Sequence, residues 1–411
     1  MNQLAINGGQ PIRTKPWPKW PVFDDGDIAR VSAAIESGVW GIGGKLIGEF
    51  EAKFADYCGS KHGITVTSGT TALEIALQAG GAGPGDEVIV PAYTFVATAT
   101  AVLKVGAVPV FADIDPLSYN LCPRSTEAAI TPRTKAIIPV HFSGDRAVME
   151  EFDAIAKRHG LFLIEDGAHA HGAHYRGAKR GINPVGLGTT FSFQSSKNLG
   201  SGEGGFILSD DDDFARRCRS LATLGRSMKN TVWYGHHLPG TNGRITEMQA
   251  ALLLSQLERL EEQTQRRHNN GSYLTEALRA VPGLEACGSG PETVRHSYHL
   301  FMMRYNSEAF GGLHRDEFSK MMNAEGIPTF NCYQVPLYKQ PLFSGENIDD
   351  PLPTPALHRE QVDYHNMPCP VTLRACDSES LMMVQQTLLG DRADMDDVIA
   401  AALKIQENIG K

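Results

Sequence analysis

The 411-residue sequence lacks the features that mark membrane and secreted proteins. It contains no run of about 18 apolar residues, which excludes a transmembrane helix. It does not begin with a basic segment followed by an apolar stretch, so no secretory signal is expected. The seven cysteines are an odd number, lie far apart and form no C-x-x-C pair. This pattern favours reduced thiols in a cytoplasmic protein over a disulfide framework or a zinc site.

Basic charge is also scarce. Lysine and arginine number 38 against 47 aspartates and glutamates, which gives a formal net charge of −9. Binding to nucleic acid or to an anionic membrane depends on clustered basic residues, so neither partner is expected. The sequence contains no low-complexity tract and no internal repeat, and 42% of its residues are apolar. This composition predicts either two or three globular domains, or one large domain with a smaller one attached.

Seven short apolar runs in the first half of the chain predict β-strands. They are Ile64–Thr67, Glu87–Val90, Val108–Ala112, Ala136–His141, Leu161–Glu165, Thr189–Phe193 and Gly205–Leu208. Several are nearly continuous, as in strands that are covered on both faces. Helical patterns such as Thr70–Gln78 and Ala147–His159 lie between them. The alternation predicts an α/β fold with a mainly parallel seven-stranded sheet flanked by helices.

The pattern changes near residue 245. A long helix is predicted over Thr246–Arg267, and shorter segments follow, including a strand-like Tyr298–Tyr305 and a helix-like Asp316–Glu325. We therefore expect a smaller α+β domain in the second half of the chain. The expected organisation is an N-terminal arm over residues 1–35, a large domain over residues 36–255 and a small C-terminal domain over residues 256–411.

A polar turn, Ser68-Gly69-Thr70-Thr71, follows the first predicted strand and opens a helix. The N-terminus of a helix offers free amide groups and a partial positive charge, which suit a phosphate. The hydroxyls of Thr70 and Thr71 could add hydrogen bonds. The alternative interpretation is a simple N-cap of the helix.

An aspartate and a lysine follow two later strands, where functional groups of open α/β sheets are found. Asp166 ends an apolar strand, and a buried carboxylate is costly unless a cation, such as a protonated ring nitrogen, pairs with it. The alternative is a cap of the following turn. Lys197 precedes a glycine-rich turn, where a desolvated amine would have a lowered pKa and would form imines readily. The alternative is an ordinary surface lysine.

Two further motifs indicate other cofactors but lack the required context. Gly200, Gly202 and Gly205 spell G-x-G-x-x-G, but a predicted strand follows them, whereas a nicotinamide-binding fingerprint requires a helix there. The run His169-Ala-His171-Gly-Ala-His174 could suggest a metal site. No second cluster of ligands supports it and the i,i+4 spacing of helical ligands is absent, so no metal is expected.

The order of the motifs is more informative than any one of them. The phosphate-type turn comes first, the aromatic loop Pro91-Ala-Tyr93-Thr-Phe95 second, the aspartate third and the lysine last. With the segments SGTTAL, PAYTFVATA, IEDGAHAHGA, FSFQSSKNLGSGEGG and TNGRITEMQAA in this order, the chain resembles the DegT/DnrJ/EryC1/StrS sugar aminotransferases. The resemblance covers roughly residues 5–400 and implies a fold type I architecture with pyridoxal 5′-phosphate as cofactor. The segments NGGQPIR and FSFQSSKN are most similar to the cyclitol branch, which includes glutamine:scyllo-inosose aminotransferases.

The resemblance implies a set of cofactor-binding residues. They are Gly69, Thr70, Thr71, Phe95, Asp166, His169, Ser192, Lys197 and Asn242. Lys197 would form the Schiff base, and Asp166 would pair with the pyridine nitrogen; these two are the implied catalytic residues. Phe95 would stack on the ring, with Tyr93 as the alternative. Gly69, Thr70, Thr71 and Ser192 would hold the phosphate.

Two of these positions carry additional implications. His169 stands where many relatives have glutamine, near the ring hydroxyl of the cofactor. Asn242 corresponds to an asparagine that reaches the phosphate of the neighbouring subunit, which implies a homodimer with shared active sites.

The implied reaction moves an amino group from glutamine or glutamate to a keto-cyclitol or a nucleotide-linked keto-sugar. Candidate substrate contacts are His141, Arg244 and Tyr333, from their positions in the motifs. Three alternatives stay open: an aminohydroxybenzoate synthase, a sugar dehydratase, and a regulator that binds the cofactor without catalysis. Dehydratase relatives carry histidine at the position of Lys197, so the lysine favours transamination.

Overall fold

A seven-stranded sheet forms the centre of the large domain in a computed structural model. The structure describes residues 3–409 except 178–181, 183, 228–233, 291 and 346–359. The strands of this sheet are β1 (His62–Val66), β2 (Glu87–Pro91), β3 (Val108–Ala112), β4 (Thr134–Ile137), β5 (Phe162–Asp166), β7 (Gly188–Ser192) and β8 (Gly205–Ser209). The short strand β6 (His174–Tyr175) lies outside it. The sheet order is β1-β8-β7-β5-β4-β2-β3; β8 runs antiparallel to both neighbours and the other pairs are parallel. The predicted α/β class with a mainly parallel sheet is confirmed.

Helices cover the sheet. They are α1 (Asp25–Glu36), α2 (Leu46–Cys58), α3 (Gly69–Gly80), α4 (Ala97–Lys104), α5 (Pro123–Ala128), α6 (Met149–His159) and α7 (Asp212–Ala222). Helix α3 shows why they form where they do: the Ser68 side chain accepts a hydrogen bond from the Thr71 amide, and Gly81 ends the helix at φ +92°. Within the described ranges, the helices lack the combination of length and apolar character needed to cross a bilayer.

One long helix, α8 (Glu247–Ala277), connects the two halves of the molecule. Leu253 and Leu260 pack with the core beneath the large sheet, whereas Leu274 packs with the core of the small domain. The boundary expected at residues 255/256 therefore falls inside a continuous helix, which is a correction. A hydrophobic pattern predicts a helix but not which domain each of its turns contacts.

The small domain is built on a three-stranded antiparallel sheet. It contains β9 (Leu284–Ala286), β11 (Leu300–Tyr305) and β12 (Ser380–Val384), while β10 (Thr293–Arg295) pairs with β6. Its helices are α9 (Arg315–Ala324) and α12 (Arg392–Asn408), and the chain between them includes α10 (Pro341–Ser344) and α11 (Pro370–Arg374).

The domains are not continuous in sequence. Phe343 and Tyr364 pack into the core of the large domain, and the Tyr364 hydroxyl donates a hydrogen bond to the Pro109 carbonyl at 2.7 Å. The N-terminal arm packs on the small domain instead, where Arg13 forms a buried ion pair with Asp394 at 2.7 Å. Contiguous ranges of 36–255 and 256–411 therefore do not describe the packing, because residues of the segments 337–345 and 360–369 pack into the core of the large domain.

Candidate active site

A cavity of about 550 Å³ lies between the carboxyl edge of the large sheet and the small domain. The large-domain wall is formed by loops that follow β1, β2, β4, β5 and β7. The small-domain wall is formed by residues near β11 and β12. Of the predicted site residues, the cavity is lined by Gly69, Thr70, Phe95, Asp166, His169, Ser192, Lys197 and Tyr333.

One end of the cavity is the N-terminus of α3. Gly69 has no room for a side chain, because a Cβ there would lie 2.7 Å from the Ser192 Cβ. The backbone of α3 therefore approaches the end of β7 closely, and Thr70 and Ser192 both line the cavity. Free helix amides together with two hydroxyls form a donor set that suits a phosphate group.

Thr71 contributes to the cap of α3 instead. Its hydroxyl accepts a hydrogen bond from the Thr67 hydroxyl at 3.1 Å and contacts Ser68 Oγ at 3.0 Å. Its backbone amide donates to Ser68 Oγ at 3.1 Å. The Thr71 side chain thus lies outside the set of described residues that line the cavity.

Asp166 is the last residue of β5 and is 5% exposed. Its Oδ2 accepts a hydrogen bond from the Thr98 hydroxyl at 2.9 Å, and its Oδ1 accepts one from the Ala168 amide at 3.1 Å. Burial raises the pKa of Asp166, while these hydrogen bonds and the charge of Lys197 lower it. A cationic partner in the cavity would therefore stabilise the carboxylate.

Lys197 lies in the turn after β7, where its amide donates to the Gln194 carbonyl at 2.9 Å. Burial lowers the pKa of Lys197 to about 8, and the nearby charge of Asp166 opposes this shift. About a tenth of the amine is therefore uncharged at pH 7, far more than for a lysine with the usual pKa of 10.5, and the uncharged amine is the form that attacks a carbonyl carbon.

The structure separates the two aromatic candidates for a stacking role. Phe95 lines the cavity and is 59% exposed in the single chain. Tyr93 is buried among Tyr119, Phe142 and Tyr333, and its hydroxyl donates to Ser380 Oγ at 2.8 Å. Phe95 is therefore the aromatic ring of this loop that faces the cavity.

His169 lines the cavity as an uncharged ring. Its Nδ1 accepts a hydrogen bond from the Ser143 amide at 3.2 Å, which places the proton on Nε2. Burial lowers the pKa of His169 well below its usual value, and the charge of Lys197 adds to this. The ring therefore offers the cavity a neutral N–H donor.

The three histidines of the segment 169–174 lie in different parts of the structure. His169 lies in the cavity, His171 lies among Phe54, Phe191 and Phe193, and His174 is in β6. The predicted strand after the G-x-G-x-x-G sequence is confirmed as β8.

Three predicted residues lie elsewhere in the described structure. His141 is completely buried: its Nε2 contacts Glu165 Oε2 at 2.9 Å and its Nδ1 accepts from the Ala147 amide at 3.3 Å. Neighbouring residues of a strand point to opposite faces, so Glu165 holds His141 away from the cavity that Asp166 faces. Asn242 is exposed, and Arg244 is half-buried. Neither lines the described part of the cavity in a single chain.

Sequence reasoning missed several cavity residues. Thr98 lies in the first turn of α4, three positions after Phe95, so its place directly after the aromatic loop could have indicated it. His299, Cys332 and Met382 come from the small domain and have no local pattern that points to a site. Only the docking of the two domains brings them to the cavity.

Comparisons with known proteins cover nearly the whole chain. The model of the DegT/DnrJ/EryC1/StrS aminotransferase family matches residues 22–383. An L-glutamine:scyllo-inosose aminotransferase from Streptomyces griseus is 37% identical over 99% of this chain and 98% of its own length. An L-glutamine:2-deoxy-scyllo-inosose aminotransferase from Streptoalloteichus tenebrarius is also 37% identical, with the same coverage. The crystal structure of 3-amino-5-hydroxybenzoic acid synthase has a TM-score of 0.83 and 32% identity, covering 96% of this chain and 99% of that one.

Proposed function

The chain belongs to the DegT/DnrJ/EryC1/StrS aminotransferase family and is a pyridoxal-phosphate-dependent aminotransferase, and on that premise we propose that it transfers an amino group from glutamine to a keto-cyclitol. The observation that carries the assignment of the site is that Asp166 and Lys197 line one cavity with the N-terminus of α3. Full-length similarity to two glutamine:keto-cyclitol enzymes supports the donor and the acceptor class. Glutamate is the alternative donor.

The residues of the cavity fit the cofactor. The start of α3, with Gly69 and Thr70, and the Ser192 hydroxyl would hold its phosphate, and Phe95 would stack on its ring. Asp166 would pair with the ring nitrogen. When bound, the cofactor supplies an electron sink for the negative charge that develops at the substrate carbon.

Two side chains would carry the proton chemistry. The Asp166 carboxylate holds a proton on the ring nitrogen, and Thr98 and the Ala168 amide keep that carboxylate oriented. Lys197 would hold the cofactor through Nζ, and its amine would be free once the amino donor has taken its place. The free amine then takes the proton from the donor's Cα and later delivers a proton to the acceptor carbon. His169 would donate its Nε2–H at the ring hydroxyl.

The cavity of a single chain is completed in a homodimer under this proposal. Asn242 forms an isolated antiparallel β-bridge with Thr223, and its exposed side chain is accessible to a second subunit. Large apolar side chains are also exposed in and around α1: Phe23, Ile28, Trp40 and Ile42 are 55–71% exposed. Several exposed large apolar side chains within one segment of a chain are typical of a protein interface. The enzyme would work in the cytoplasm, where its unpaired cysteines stay reduced.

An absorbance screen tests the reaction. Glutamine should bleach the visible band of the lysine-bound cofactor, and a keto-cyclitol should restore it. Recovery with a nucleotide keto-sugar alone would contradict the proposed acceptor. Formation of an aromatic product would indicate a synthase, and a band that glutamine leaves unchanged would contradict the donor.

A further inference from the structure

His299 connects the small domain to the amine of Lys197. It directly precedes β11, is 6% exposed and lines the cavity. Its Nε2 lies 3.5 Å from Nζ of Lys197. The two residues are far apart in sequence and come from different domains, so their contact is a product of domain docking.

The neighbouring asparagine determines which nitrogen of His299 carries the proton. Nδ2 of Asn198 donates to the Ser297 carbonyl at 2.9 Å, which leaves Oδ1 of Asn198 facing Nδ1 of His299 at 3.4 Å. An amide oxygen can only accept, so Nδ1 of His299 carries the proton. The lone pair of its Nε2 therefore faces Lys197.

The second histidine of the cavity has the opposite tautomer. The rings of His169 and His299 lie 4.3 Å apart, and Nδ1 of His169 accepts from Ser143, so its proton is on Nε2. Burial lowers the pKa of both rings well below the usual value. His169 thus presents a donor and His299 presents an acceptor, and neither ring adds positive charge next to Lys197.

From this geometry we propose that His299 is a positioning residue for Lys197: its Nε2 accepts a hydrogen bond from the free amine and aims Nζ at the substrate carbon. The proposal rests on the role proposed for Lys197. It assigns no proton transfer to His299. This role explains why Asn198, Ser297 and His299 form a buried polar network directly beside the turn that contains Lys197.

Other groups also face the amine, so its titration has to be compared between variants. The large domain contributes Asp166 from β5, His169 from the loop after it and Glu203 from the loop after Lys197. The small domain contributes Tyr333 and Cys332. A change that follows the identity of residue 299 alone identifies the contribution of the histidine.

The test compares His299→Phe, which removes the acceptor, with His299→Gln, which keeps one. His296→Gln is the matched control, because His296 is buried in the same segment but lies outside the described lining of the cavity. In the cofactor-free protein, competitive acetylation followed by mass spectrometry gives the pKa of the Lys197 amine. An accepted hydrogen bond favours the ammonium form, so we expect this pKa to fall by about one pH unit in His299→Phe and to change little in His299→Gln.

Kinetics of the glutamine half-reaction provide the second measurement. We expect His299→Phe to lower the maximal rate about tenfold to a hundredfold, with KM within about twofold, because the ground state keeps its binding contacts. The isotope effect with α-deuterated glutamine should rise, and His299→Gln should retain most of the rate. An unchanged pKa of Lys197, equal defects in the Phe and Gln variants, or an equal defect in His296→Gln would overturn the proposal. If the wild-type protein does not react with glutamine, the proposed donor fails, and the titration of the cofactor-free protein still decides the role of His299.

Discussion

The two walls of the cavity differ in how they are built. The large-domain wall consists of residues that directly follow strands, such as Gly69 after β1, Asp166 in β5 and Lys197 after β7. The small-domain wall consists of His299, Tyr333 and Met382, which lie on separate segments. The carboxyl ends of parallel strands meet at one edge of a sheet, so the first wall follows from strand order. The second depends on how one domain docks on the other.

This difference suggests a division of roles. The large-domain wall holds the groups that fit the phosphate, the ring nitrogen and the carbonyl carbon of the cofactor. Under the proposed function, the small-domain wall would face the substrates. Substitutions in the first wall should therefore abolish the chemistry, whereas substitutions in the second should mainly change rates and substrate preference.

The largest effect is expected for Lys197→Ala. Without the amine, the visible band of the lysine-bound cofactor should disappear, and activity should fall by on the order of a thousandfold or more. Absorbance and steady-state rates measure both, with a substitution of the exposed Lys157 as the control. Full activity in Lys197→Ala would remove this residue from the mechanism.

Lys197 should also make the stability of the cofactor-free protein depend on pH. The pKa of Lys197 is lowered to about 8 in the folded protein against 10.5 for a free side chain, so the unfolded chain binds more protons between these values. The free energy of unfolding of the cofactor-free wild type should therefore gain a contribution from Lys197 as pH rises from about 8 to 10.5. Urea denaturation at several pH values should show that Lys197→Ala lacks this contribution.

A smaller loss is expected for Asp166→Asn in the same wall. The amide cannot stabilise a protonated ring nitrogen, so kcat should fall about a hundredfold. Folding should change little, because the variant removes a buried charge whose pKa is raised by desolvation. Steady-state kinetics measure the change in kcat, and urea denaturation midpoints measure the change in stability. Comparable losses of activity and stability would favour a purely structural role for Asp166.

Thr98→Val tests how much of the activity depends on the residue that orients the Asp166 carboxylate, rather than on the carboxylate itself. It removes the hydroxyl that donates to Asp166 but leaves the carboxylate in place. A hydrogen bond to a charged group contributes about 1.5–3 kcal/mol, so we expect kcat/KM to fall about tenfold. Thr100→Val, on the same helix but outside the described cavity lining, is the control. Equal effects of both would show that only helix packing is affected.

The smallest effect is expected for Tyr333→Phe in the small-domain wall. Tyr333→Phe keeps the ring that packs against Tyr93 and Phe142 and removes only the hydroxyl. KM for the acceptor should rise about threefold to tenfold, while the glutamine half-reaction stays nearly unchanged. A larger loss in the half-reaction than in acceptor KM would contradict the division between the walls.

The strands and His141 show which features of the structure the sequence predicted and which it did not. The seven strands of the sheet were predicted close to their observed positions, because continuous apolar runs and the turns between them are local signals. The strand predicted over Ala136–His141 is the exception, because the observed β4 ends at Ile137, and His141 faces Glu165 rather than the cavity. The face on which a residue lies after a strand ends depends on backbone geometry that a motif does not specify.

The sequence by itself determined the class of fold, the order of the motifs and the presence of an aspartate and a lysine at neighbouring strand ends. These properties depend on local patterns and on the convergence of parallel strands at one edge. Only the tertiary structure decided that Phe95 rather than Tyr93 faces the cavity, that the segments 337–345 and 360–369 pack with the large domain, and that His299 reaches Lys197. Such contacts join segments far apart in the chain, and their geometry is set by the packing of whole domains.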